Sequence, residues 1–147
     1  MVIGQIHAEH NEPLRIYYRK LPNNTKGSIY FAHEGRDNDK EDYHELIGSR
    51  SSKAEDPEKG IALGEKFSYK VLVYGDNLTV KIIKADKSIY EKTVNMRKSG
   101  YNHKDEYMYF KAGVYNQNKT GEPDDYVQAT FYELENKHQK YVEPVYD

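Results

Sequence analysis

The chain has 147 residues, no cysteine and a formal net charge of −2. That length gives one domain, the absence of cysteine excludes disulfides and thiol chemistry, and the small charge gives no drive toward nucleic acid or an anionic membrane. No apolar run approaches membrane-spanning length, and Met1-Val2-Ile3-Gly4 has neither the basic start nor the apolar stretch of a secretory leader. Only 37% of residues are hydrophobic, so the predicted core is thin and leans on the 15 tyrosines, which bring apolar area with a polar tip.

In chain order, residues 2–8 read as a strand that ends at Asn11-Glu12-Pro13. Residues 14–19 alternate again, with Leu14, Ile16 and Tyr18 on one face and Arg15, Tyr17 and Arg19 on the other. Pro22-Asn23-Asn24 with Gly27 is a turn cluster, which makes a hairpin with the next strand, residues 28–33. Residues 34–40 read as a charged loop, 43–48 as a further short strand, and 49–60 as a solvated connection. Asp37, Asp39 and Asp42 lack the glycine and closing glutamate of a calcium loop, and His33 and His44 lack zinc-site spacing. No metal site and no cofactor are expected. Residues 67–74, 78–84 and 88–94, joined at Gly75-Asp76-Asn77 and Ala85-Asp86-Lys87, form a three-strand meander with Leu78, Val80 and Ile82 on one face. Residues 96–106 read as a loop with room for one helical turn. Residues 125–134 read as a last strand and 135–147 as a polar tail, so the expected domain is residues 1–134. Short strands at regular spacing without helical periodicity give an all-β sandwich or jelly roll.

Two strands carry polar side chains in a pattern that asks for a ligand. YFKAGVYNQ, residues 109–117, places Tyr109, Lys111, Gly113, Tyr115 and Gln117 on one face. Phe110, Ala112 and Val114 take the other, which is predicted to pack on a core. Gly113 opens a gap where a ligand or another backbone can approach. In Gln5-Ile6-His7, the glutamine and histidine share a face and Ile6 points to the core. Arg15, Arg19 and Lys111 fall in strand patterns while acidic residues gather in loops, so a nearly neutral chain is expected to hold a basic groove.

Gln5-Ile6-His7 and YFKAGVYNQ resemble two signatures of the family-7 alginate lyases and the related family-18 enzymes. PLRIYYRKLP and GSIYFAHE between them are similar to strands and turns of that family, and the resemblance covers residues 2–134. It implies a bent β-jelly roll whose concave sheet holds a polyuronate, and a secreted or periplasmic protein whose signal lies outside this chain. The family's third signature, an arginine–serine/threonine–glutamate–leucine strand, has no counterpart here; Arg50-Ser51-Ser52-Lys53 differs in residues and order. The expectation is that this is the later portion of the catalytic domain and that an N-terminal fragment of the same enzyme supplies the arginine and the first strands.

Such lyases cleave by β-elimination: the C5 proton, next to a carboxylate, is removed and the 4-linked oxygen leaves. The carboxylate must be offset, a base supplied and the leaving oxygen protonated. Gln5 can donate from its amide, and His7 can donate or accept a proton, its free pKa being about 6.5. The phenol of Tyr115, with a free pKa of about 10, needs nearby positive charge to act as base, and Lys111 on the same face can supply it. The resemblance implies that Tyr115 is the acid/base and that Gln5 and His7 stand at the carboxylate, with His7 also a candidate base. Lys111, Tyr109, Gln117, Arg15 and Tyr17 are candidate sugar contacts. An endolytic lyase and a non-catalytic β-sandwich that binds acidic polysaccharide are both compatible with the residues; a tyrosine and a lysine on one face favour the lyase.

Overall fold

The computed structural model describes residues 1–102 and 106–137. It contains nine strands among these residues and no helix: β1 (Val2–His7), β2 (Leu14–Arg19), β3 (Lys26–Gly35), β4 (Asn38–Ile47), β5 (Ile61–Ala62), β6 (Phe67–Tyr74), β7 (Asn77–Lys84), β8 (Ile89–Asn95) and β9 (Tyr109–Tyr115). One sheet runs β4-β3-β2-β1-β9, with β5 also pairing to β3, and the second is the meander β6-β7-β8. Every pairing is antiparallel. The fold is the all-β sandwich of jelly-roll type that the strand pattern predicts.

The alternating residues explain why the sheets stack. Leu14 and Ile16 of β2, Ile29 and Phe31 of β3, and Leu78, Val80 and Ile82 of β7 are all fully buried in one cluster joining the two sheets. Each such side chain contributes about 1.5–3 kcal/mol relative to exposure. This core is mainly aliphatic, which corrects the expectation of a tyrosine-rich one. Tyr17 and Tyr30 instead form a second cluster with Val2 and Ala32 on the opposite face of the large sheet. That open face is where the candidate residues gather.

A break in register near the start of β1 shapes this face. Val2 pairs with Tyr17 and Gly4 with Ile16, while on the other side Val2 pairs with Tyr115 and Gly4 with Ala112. The irregularity lets Ile3 join Ile6 in the core while Val2 turns to the open face, as bulges do when they re-aim side chains. Gly4 permits close approach of the second sheet: a Cβ there would lie 2.9 Å from the Tyr69 hydroxyl. That hydroxyl donates to the Ile3 carbonyl at 3.0 Å.

Several expectations change. The 34–40 segment is not a loop, because β3 runs to Gly35 and β4 starts at Asn38, so Arg36-Asp37 alone make the turn. Residues 125–134 form no strand and pair with neither sheet. β9 stops at Tyr115, leaving Gln117 exposed beyond its end. Phe110 and Val114 are 39% and 37% exposed rather than packed on a core, because the second sheet lies over β1–β3 and does not extend under β9. An added Cβ at Gly113 meets nothing within 4 Å, so that glycine marks no close backbone approach. Residues 96–102 carry turns and no helix; the end of the polar tail, residues 138–147, lies outside the described residues.

Candidate active site

The β1–β9 pairing brings the two motif strands side by side. Gln5 faces Lys111 on β9 and Arg15 on β2, so the three share one row of the open face. His7 faces Tyr109, with ring centroids 5.4 Å apart. Lys111 Nζ lies 5.2 Å from the Tyr109 ring centroid and forms no ion pair among the described residues, so its charge is not neutralised by an acid there. Tyr115 faces Val2, and Gln5, Lys111, Val2 and Tyr115 all line one hollow of about 140 Å³. Residues carrying an amide, an ammonium and a phenol thus border a single depression. Tyr115 is 58% exposed, so a polymer can reach its hydroxyl.

His7 is held by its ring contact with Tyr109 and by Glu12, whose Oε1 lies 3.4 Å from Nε2. Its Nδ1 is shielded from solvent and has no hydrogen-bond partner among the described residues. His33 is a different case. Its Nδ1 is 2.8 Å from the Pro13 carbonyl and its Nε2 is 2.7 Å from Ser99 Oγ. A carbonyl only accepts, so Nδ1 carries the proton and Nε2 accepts from the serine. Both ring nitrogens of His33 are therefore spent on structure.

Arg15 stands beside Gln5 but is not a free cation. Its Nη2 donates to Glu34 at 2.5 Å and to Glu41, and Glu41 also accepts from the Tyr43 hydroxyl. Burial pushes the Glu34 carboxyl up, outweighing the opposing pull of Arg15. The predicted sugar contact at Arg15 is thus a neutralised brace under the row. Tyr17 is also part of the floor: it is buried and stacks on Tyr30 at 4.9 Å. Burial pushes its phenol well above the free value, which keeps it protonated. Of the candidate site residues, the structure pairs Gln5 with Lys111 and His7 with Tyr109 on the β1–β9 seam, sets Tyr115 six residues further along β9, about 20 Å from His7 at the rise of a strand, places Arg15 and Tyr17 beside Gln5 as support, and leaves Gln117 outside.

Sequence reasoning missed Glu12, Glu34, Glu41, Tyr43 and Arg50. Glu34 and Glu41 were assigned to a loop or left unplaced, although Glu34 continues the alternation of Tyr30 and Ala32. It also missed the pin that Glu106 makes between distant segments. Glu106 Oε1 accepts from the amides of Glu9 and His10, and Oε2 accepts from Arg36 Nε at 2.7 Å. Glu9, His10 and Glu106 bring potential metal-binding atoms within 4.8 Å of one another, but Glu106 already spends both oxygens on this pin.

The antiparallel sandwich with glutamine, histidine and tyrosine on two adjacent strands of its open face defines an all-β protein of jelly-roll type. Comparison with known proteins gives the family. Residues 1–138 match the family described as alginate lyase, so the chain belongs to the alginate lyase family. It is 53% identical to an alginate lyase of Klebsiella pneumoniae, covering 94% of this chain and 48% of that protein. The crystal structure of the alginate lyase from Klebsiella pneumoniae superposes with a TM-score of 0.80 at 52% identity, covering 84% of this chain and 46% of that one. The exolytic family-7 alginate lyase from Zobellia galactanivorans matches with a TM-score of 0.66 at 28% identity, over 79% of this chain and 51% of that one. The chain therefore spans about half the length of the relatives it matches.

Proposed function

We propose that the protein cleaves the 1,4-glycosidic bonds of alginate by β-elimination, within the polymer, and that the β1–β9 seam is where the bond breaks. The observation that carries this reading is that Gln5, Lys111 and Tyr115 line one hollow, with His7 further along the same face. The Gln5 amide offsets the uronate carboxylate, and His7 stands further along the seam on the same face. The Tyr115 phenolate takes the C5 proton, the C–H electron pair forms the C4–C5 double bond, and the C4–O4 bond breaks. The same phenol then protonates O4 and returns to phenolate, so the enzyme leaves the cycle unchanged. Lys111, which lines the same hollow from β9, offsets the negative charge that develops during elimination.

Internal cleavage is supported by the row of paired residues that crosses five strands of the open face. Polymeric alginate is met outside the cytoplasm, which supports a secreted or periplasmic site of action. The remaining sandwich strands, and a further cation for the carboxylate, are proposed to come from an N-terminal segment of the same enzyme. Support comes from β9, whose far side has no strand among the described residues, and from the half-length match to relatives.

Elimination creates a conjugated double bond that absorbs in the ultraviolet; binding alone does not. Rising absorbance of an alginate solution, with early products of mixed length, supports endolytic elimination. Alginate retained by the protein with no absorbance change would favour the binding-module reading instead.

A further inference from the structure

A second cluster occupies the open face away from Gln5 and His7. Tyr17 and Tyr30 stack, and Tyr43 leans on both with centroids 6.3 and 6.2 Å away. The guanidinium of Arg50 lies 3.8 Å from the centroid of the Tyr43 ring. Arg19 donates to the Arg50 carbonyl. Neither arginine forms an ion pair among the described residues. The carboxylate beside them, Glu45, is spent on the Arg50 amide and the Ser49 hydroxyl, which hold it below its ordinary range. Arg50 over the Tyr43 ring, with Arg19 alongside and neither in an ion pair among the described residues, makes a site for a planar anion, because the guanidinium fork matches a carboxylate in two hydrogen bonds.

The register ties this cluster to the seam. Tyr115, Val2, Tyr17, Tyr30 and Glu45 are direct partners on β9, β1, β2, β3 and β4. They form one row across the sheet, leading from the proton-transferring tyrosine to the arginines. With strands about 4.8 Å apart, Tyr30 lies about 10 Å and β4 about 15 Å from Val2. A ligand engaging both ends must be extended and must carry negative charge at intervals. We propose that Arg19 and Arg50 hold a uronate carboxylate of the same polymer a few sugars from the scissile bond, so that substrate length is read at the β2–β4 end of the face. This rests on the elimination reading and adds to it a second anionic contact remote from the chemistry.

The test compares initial rates on an alginate trisaccharide and a hexasaccharide for the wild-type protein, Arg50→Ala, Arg50→Lys and Arg19→Ala. Arg50 is exposed on a connection outside the core, so its removal leaves the fold in place. The expected result is a loss of about tenfold in kcat/KM on the hexasaccharide for Arg50→Ala, carried by KM, in line with a charged hydrogen bond. The trisaccharide rate stays at the wild-type value, Arg19→Ala follows the same pattern, and Arg50→Lys recovers part of the loss. Added salt narrows the difference between wild type and Arg50→Ala, since the contact is ionic and near solvent. Equal hexasaccharide kinetics for wild type and Arg50→Ala would overturn the proposal, as would an equal loss on both lengths. If the wild-type protein turns over neither oligosaccharide, the elimination reading itself fails and takes this inference with it.

Discussion

His7 and His33 sit on neighbouring parts of one sheet and are used differently. The His33 ring closes two hydrogen bonds inside the molecule, whereas the His7 ring faces Tyr109 and Glu12 on the open side. His33→Ala leaves the Pro13 carbonyl without its donor, so thermal melts should show a loss of about 1–3 kcal/mol while activity per folded molecule is retained. His7→Ala should do the reverse: a melting temperature close to wild type and a marked fall in initial rate on alginate. Equal activity losses in the two variants would contradict the separation of roles. Acid sensitivity is set by carboxylates held below their ordinary range. In Glu45 the cause is the Arg50 amide followed by the Ser49 hydroxyl. In Glu106 burial works against ionisation, but the bonds from Arg36 and the His10 amide outweigh it. A folded pKa below the unfolded one gives stability that is complete above the ordinary glutamate value of 4.5 and drains as pH falls through the lower folded value. Unfolding followed from neutral pH to below 4.5 should therefore show declining stability, and Glu106→Gln should differ from wild type at neutral pH and converge with it in acid.

At the scale of the element, β1 is the strand on which the site depends, and its register is set by a contact from the other sheet. The Tyr69 hydroxyl fills the space where a Gly4 side chain would stand. Gly4→Ala should lower stability by about 1–3 kcal/mol through overpacking, and combining it with Tyr69→Phe should recover part of that loss in denaturant melts. Identical stability of wild type and Gly4→Ala would mean that the second sheet does not constrain β1. The meander β6–β8 was legible because each strand alternates cleanly and each turn carries a Gly-Asp-Asn or Asp-Lys signal. The pairing of Gln5 and His7 on one face was legible for the same reason. The shift at Val2 and Gly4 was not, because a register break depends on both neighbouring strands and on Tyr69, 65 residues away along the chain from Gly4. Residues 125–134 mislead in the opposite way: Val127, Ala129 and Phe131 alternate like a strand, but alternation becomes a ladder only where an edge receives it.

For the whole molecule, the second sheet covers β1–β3 and leaves β9 as an exposed edge carrying half of the site. Edges with exposed apolar side chains such as Val114 invite pairing with other chains. Size exclusion with mass detection should show the isolated 17.2 kDa chain self-associating, and the N-terminal segment of the same enzyme, supplied separately, should convert it to a discrete complex with higher lyase activity. A monodisperse monomer with full activity would remove the need for that segment. Resemblance in two short motifs pointed to the family that the comparisons show. The neutralisation of Arg15 by Glu34 and Glu41, and the arginines at the far end of the face, depend on which residues the sheet brings together and could not be read from spacing.

The central claim is that Tyr115 moves the proton at the β1–β9 seam. Tyr115→Phe keeps the ring against Val2 and removes only the hydroxyl, so the most direct measurement is the rate of double-bond formation on alginate by this variant beside wild type, with alginate binding measured on the same preparations. Loss of a general acid/base slows turnover by about 10²–10⁴-fold; the variant should fall by that factor while binding alginate as wild type does. Turnover at the wild-type rate would contradict the account.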